Sequence, residues 1–211
     1  MRGWLMGLTV AAALAAAGCN EQQKAEKAVV QDSVAAAPKA AELKAADANL
    51  TTYAFGPDAS KIEFKGAKVT GSHLGGFKGF KGEVQMGEKP ETGKIDLTIE
   101  TATIFADAEK LTGHLRSPDF FDVEKFPTAT FKSTSIAPAE GGKYTVTGDL
   151  ALHGVTKQIA FPASITVADG AVKATSEFAI NRKDFEIVYP GMPDDLIRDE
   201  VVITLDVNAK K

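Results

Sequence analysis

An all-β fold, an eight-stranded antiparallel barrel with one short helix, is predicted by three observations. From Tyr53 onward, apolar residues recur at every second position in eight separate segments. Turn-forming clusters divide most of them: Gly71, Gly75-Gly76, Pro90 to Gly93, Pro138 to Gly142 and Asp169-Gly170. The apolar register also carries small residues at Gly66, Gly82, Gly148, Ala163, Ala174 and Ser176, which leave room along an axis and favour a sheet closed on itself. Glycines marking bulges in a filled two-sheet sandwich are the other reading of the same pattern.

The chain opens with Met1-Arg2-Gly3, an apolar run from Trp4 to Ala17 too short to span a bilayer, and Ala17-Gly18-Cys19. This reads as a lipoprotein signal over residues 1–18, with Cys19 as the acylated residue that anchors the protein to a membrane. Ala16 stands where the lipobox usually has leucine, and Leu14 lies two residues upstream. A secretory signal with an incidental cysteine is the alternative. With one cysteine in the sequence, no intrachain disulfide is possible. Asn20 after Cys19 leans toward the outer membrane.

Residues 19–50 read as a disordered tether rich in alanine, lysine and glutamate, where Val29, Val30 and Leu43 are too few to form an apolar stripe. About thirty such residues would hold a domain around 30 Å from the membrane. The domain itself is expected over residues 51–211.

Its periodic segments centre on Ile62 and Phe64; Phe80, Val84 and Met86; Ile95, Leu97 and Ile99; Ala129 and Phe131; Tyr144 to Leu152; Ile159 to Ile165; Val172 to Ile180; and Val201 to Val207. One interruption is helical. Asp107 to Leu115 has an acidic start and places Leu111 and Leu115 on one face, although Gly113 weakens it. It leads into Ser117 to Pro127, where prolines fence off Phe120, Phe121 and Phe126, three rings that must cover something apolar.

A formal net charge of −4 and a pI near 5.5 give no footprint for nucleic acid, and Lys61, Lys65, Lys68, Lys78 and Lys81 read as a solvated face. His73, His114 and His153 lack metal-ligand spacing, and no nucleophile-elbow, zincin or phosphate-loop motif is present. No metal, cofactor or catalytic set is expected. Asp194, Asp195, Asp199 and Glu200 lack the spacing of a calcium loop and read as a salt-bridged loop at a barrel mouth.

Three stretches carry a resemblance. SPDFFDVEKFPTATF from Ser117, GDLALHGVTK from Gly148, and Arg182-Lys183-Asp184-Phe185 are similar to signatures of the YceI-like family of bacterial envelope proteins. Glu186 stands where that family usually has glycine after R-x-D-F. The resemblance implies a lipocalin-like barrel holding a long isoprenoid or similar amphiphilic lipid at the periplasmic face of a membrane. Inward parity then gathers Phe64, Phe80, Phe131, Phe161, Phe178, Leu150, Leu152 and Leu205 around one cavity, and Ile99, Phe105 and Phe121 complete the expected ligand-binding set. Lys65, Lys81, Lys132 and Glu177 should face water. Two other readings stand beside it: an enzyme acting on such a lipid through Asp119, Asp122, Arg182 and Asp184, and a structural envelope protein with a filled interior.

Overall fold

The computed structural model describes residues 25–32 and 50–211. The expected signal, Cys19 and most of the tether lie outside those residues. In chain order the strands are β1 Glu26–Lys27, β2 Val29–Asp32, β3 Thr51–Phe55, β4 Lys61–Lys68, β5 Gly71–Phe77, β6 Phe80–Met86, β7 Lys94–Glu100 and β8 Ile104–Ala106. After helix α1, Glu109–Arg116, come β9 Thr128–Pro138, β10 Tyr144–Leu152, β11 Val155–Ala168, β12 Ala171–Asn181, β13 Gly191–Met192, β14 Asp195–Leu196 and β15 Glu200–Lys210.

Eight walls close the barrel. β3 and β4 run one after the other along β15, β5 and β6 form the next wall, and β7 and β8 the third. β9, β10, β11 and β12 complete the circuit, and β12 pairs with β15 to close it. At each break in the three interrupted walls the inward parity shifts by one: Phe55 gives way to Ile62, Phe77 to Phe80, and Ile99 to Ile104. Two of the breaks are stitched together, since the Gly79 amide donates to Thr103 Oγ1 at 2.8 Å and the Glu100 amide to the Gly79 carbonyl at 2.9 Å.

The small inward residues do something other than leave room. A β-carbon on Gly82 would lie 2.0 Å from the Phe55 ring, one on Gly148 2.5 Å from the Phe131 ring, and one on Gly75 2.4 Å from Phe64. Each glycine is a seat for an aromatic ring from the neighbouring wall, so the ring lies flat along the barrel surface. Gly66 is different, with nothing within 4 Å of its β-carbon position. Gly75-Gly76, expected as a turn, lies inside β5. Phe64 presses on Gly75 from inside and Phe105 on Gly76 from outside, a crowding that only glycine allows.

Hairpin turns follow their sequence chemistry. Asp169-Gly170 and His153-Gly154 take positive φ at both residues, the two-residue geometry that matches strand twist. One end of the barrel is narrowed by Val84, Met86, Val146, Ile165 and Val172, all buried, around a small apolar space of about 70 Å³. The other is covered by α1, the aromatic corner 117–127 and the segment 186–199. There Glu186 adopts φ 59°, the left-handed conformation that a glycine takes without strain.

The tether reading is corrected over residues 26–32. Glu26–Lys27 pairs in parallel with Phe178–Ala179, and Val29–Asp32 pairs antiparallel with Lys157–Ala160. Ala28 and Val30 pack on the core. Alternation of two or three residues is too short a signal to mark a strand in sequence, and pairing alone makes it one.

Ring seating predicts a contrast between two substitutions. Gly82→Val must displace Phe55 and should destabilise by about 1–3 kcal/mol, whereas Gly66→Val should change stability by under about 1 kcal/mol. Chemical denaturation of the two variants side by side checks this; equal losses would show that the seats do not determine the fit.

Candidate ligand cavity

Inside the barrel, toward the covered end, lies a cavity of about 340 Å³. Phe64, Ile99, Phe131, Leu150, Leu152, Phe161, Phe178 and Leu205 line it from inward-facing strand positions, and Phe121 lines it from the corner. Two of the expected residues do not. Phe80 faces inward and is buried, but packs in the core away from the cavity. Phe105 lies on the outer surface over Gly76, with Lys78 Nζ 5.2 Å from its ring centre, because the turn at Thr101–Thr103 shifts the register and gives the inward place to Ile104. Lys65, Lys81, Lys132 and Glu177 are exposed, as expected.

The aromatic lining falls into two groups. Phe161 stacks on Phe178 at 4.3 Å between ring centres with 12° between planes, and Phe131 tilts against Phe161 at 5.6 Å. Toward the covered end, Phe77 bridges Phe64 at 6.2 Å and Phe121 at 5.8 Å. Offset and edge contacts of this kind hold rings in place and leave their remaining surface to a ligand.

The corner explains how Phe121 reaches that position. The Phe121 amide donates to the Leu115 carbonyl at 3.0 Å and the Asp122 amide to the Ser117 carbonyl at 3.0 Å, with Asp122 at φ 43° turning the chain. Phe120 and Phe121 are thereby aimed into the cavity, while Phe126 turns away onto His153, 4.6 Å between ring centres, and covers Gly154. Leu111 and Leu115 of α1 add to the lining, as do Ile187 and Ile197 from the covering segment. Sequence periodicity missed these last two because the segment that carries them has no regular period.

Three polar side chains border the cavity: Lys68, His73 and Arg182. Arg182, only 4% exposed, donates to the Ile187 carbonyl at 2.7 Å and the Arg198 carbonyl at 3.2 Å, and reaches Asp199 Oδ1 at 3.3 Å. Burial lowers its pKa, and the Asp199 carboxylate opposes that shift. The guanidinium thus ties the covering segment to the barrel by its ends. Lys68 donates to Asp195, which also accepts from the Thr70 amide at 3.1 Å and the Thr70 hydroxyl at 2.9 Å. His73 Nδ1 lies 2.7 Å from Asp107 Oδ1. The acidic loop is salt-bridged, to Lys68, Arg182, Lys183 and Lys27.

The residues weighed for catalysis do not converge. Asp119 pairs with His114 at 2.8 Å on the surface, Asp122 shapes the corner, and Asp184 lies outside the lining that holds Arg182. Among the described residues no group of three or more histidine, cysteine or acidic side chains is placed to hold a metal.

A closed eight-stranded antiparallel barrel with an apolar interior and one covered end defines a lipocalin-like binding fold. The chain belongs to the YceI-like family, whose domain matches residues 53–209. A UPF0312 protein of Pseudomonas putida is 36% identical over 133 residues, covering 57% of this chain and 69% of that protein. In structure, Burkholderia cenocepacia BcnA superposes with a TM-score of 0.67 at 27% identity, covering 74% of this chain and 99% of the other. A polyisoprenoid binding domain from Saccharophagus degradans superposes with a TM-score of 0.63 at 15% identity, covering 77% and 99%, a likeness of fold.

Acid should loosen the covered end. The Asp195 carboxyl is held below its ordinary value of 3.8, foremost by the Lys68 hydrogen bond, and the Asp107 carboxyl is lowered by the Leu74 amide and His73. A carboxyl whose pKa is lower folded than unfolded contributes stability above its unfolded value and loses it as pH falls through the folded one. Protection of the Thr70 and Leu74 amides from hydrogen exchange should therefore fall below about pH 4. In the Asp195→Asn protein, Thr70 should lose protection already at neutral pH; unchanged exchange would show that the carboxylate does not hold the loop.

Proposed function

We propose that this protein is a carrier that holds the chain of a polyisoprenoid or similar long amphiphilic lipid inside the barrel, at the membrane of a bacterial envelope. The observation that carries this reading is the cavity itself: apolar side chains from every wall region, with polar groups confined to the covered end. Lys68 and His73, at that end, are placed to meet a polar head while the tail lies among Phe131, Phe161 and Phe178. The structural neighbour from Saccharophagus degradans is a polyisoprenoid binding domain, which favours the same ligand class.

Energetics agree. A lipid burying about 30 non-hydrogen atoms at about 0.3 kcal/mol each gains about 9 kcal/mol, a sub-micromolar affinity. One methylene adds only about 0.8 kcal/mol, so chains of neighbouring length should compete. Binding rather than chemistry fits a site whose one buried charge, Arg182, already spends its donors on backbone carbonyls and Asp199.

Native mass spectrometry of the purified protein, with organic extraction, should show a bound long-chain lipid, and a fluorescent geranylgeranyl probe should titrate into the emptied barrel. Phe121→Ala should lower stability, by less than the about 3–5 kcal/mol of a fully buried ring, and speed probe release, because it removes a half-buried ring and part of the cover. A barrel that neither retains lipid nor takes up the probe would refute the reading.

Membrane anchorage is assigned to Cys19. Cys19→Ala should move the protein from the membrane fraction to the soluble fraction with the barrel folded. Retention on membranes after a salt wash would place the anchorage elsewhere.

A further inference from the structure

One end of the barrel is crowded by buried side chains around a space of only about 70 Å³ and the other is closed by the cover, so a lipid needs another way in. The wall between β11 and β12 offers one. These strands pair only from Ser164 with Thr175 to Ala168 with Ala171. Beyond that fork they separate, and residues 26–32 fill the gap, with β1 on the β12 edge and β2 on the β11 edge.

Sequence accounts for the fork. Pro162 has no amide hydrogen and cannot donate to a ladder, so it favours a break, and the Ser176 hydroxyl bonds its carbonyl instead. An inserted strand holds its two neighbours about 10 Å apart, twice the usual spacing, which is wide enough for an alkyl chain to pass. The residues on either side, Ile159 and Phe161 on β11 and Phe178 on β12, line the cavity directly. Ala28 and Val30 pack against the core from within the gap. Outside, at the fork, a cleft of about 540 Å³ is lined by Ala25, Glu26, Ser176 and Leu205, and Leu205 also lines the cavity.

We propose that this seam is the passage through which a lipid chain reaches the cavity, and that residues 26–32 are a removable strand that closes it. The proposal rests on the carrier reading above. The strand is well suited to leave. It is held along only part of each neighbour, whereas β12 is bonded to β15 over its full length, and its ion pairs, Lys157 with Asp32 and Lys27 with Glu200, are surface pairs of small worth.

The test locks the strand in place. Gln31 and Gln158 are register partners, and antiparallel partners lie within reach of a disulfide. The full chain carrying Gln31→Cys and Gln158→Cys, with Cys19→Ala to remove the other thiol, is compared oxidised and reduced for uptake of a fluorescent geranylgeranyl probe. Uptake should be at least about tenfold slower when oxidised and recover with dithiothreitol, while oxidised protein loaded beforehand keeps its probe. A second variant, Val30→Asp, should loosen the strand and speed uptake with the barrel's circular dichroism unchanged. Equal rates in the oxidised and reduced states would overturn the seam and place the passage at the covered end, beside Lys68 and His73. A reduced protein that binds no probe at any time would instead overturn the carrier reading and the passage together.

Discussion

The barrel depends on fitting aromatic rings over glycines. A closed sheet of this size must carry its large side chains on the inner face, where stacking them upright would fill the axis. Phe55, Phe64 and Phe131 instead lie down on Gly82, Gly75 and Gly148 of the adjoining walls. A ring that covers a glycine shields backbone that would otherwise meet water or a void, and it holds two walls in register. The interior volume is therefore a product of where the rings lie. Gly66, which seats no ring, borders the cavity.

Closure at the covered end rests on a different device. The segment 186–199 has little regular structure beyond the short β13–β14 pair, and Arg182 supplies donors to two of its carbonyls, those of Ile187 and Arg198, from a buried position. One planar side chain thus does for an irregular segment what a neighbouring strand does elsewhere. Glu186 sits within this arrangement in a conformation that costs a residue with a side chain about 1–2 kcal/mol, and the surrounding bonds hold it there.

How far the sequence could be read follows from the same geometry. Within an unbroken strand, parity places every residue on one face, and so Phe131, Leu150, Leu152, Phe161, Phe178 and Leu205 were legible as cavity lining. Across the break at Thr101–Thr103 parity fails, because a turn of three residues shifts the count, and Phe105 lands outside. Phe80 shows a second limit: parity gives the face and says nothing of position along the axis. Ile187 and Ile197 belong to backbone with no period, and their placement depends on Arg182 and Asp195, contacts that no local pattern announces. The strand at Glu26 to Asp32 was least legible of all, being defined by an opening elsewhere in the chain.

That strand also bears on the order in which the molecule assembles. Glu26 meets Phe178, and Val30 meets Ile159, across nearly the whole length of the domain sequence. Such a contact closes a very long loop and must wait until both flanking walls exist, so the earliest of the described strands is the last to find its place. A polypeptide delivered amino-terminus first would spend its assembly with the slot vacant and its apolar interior accessible from the side. On the carrier reading proposed above, newly made protein would then be in the state best able to receive its first lipid, and occupancy would be linked to maturation as well as to exchange.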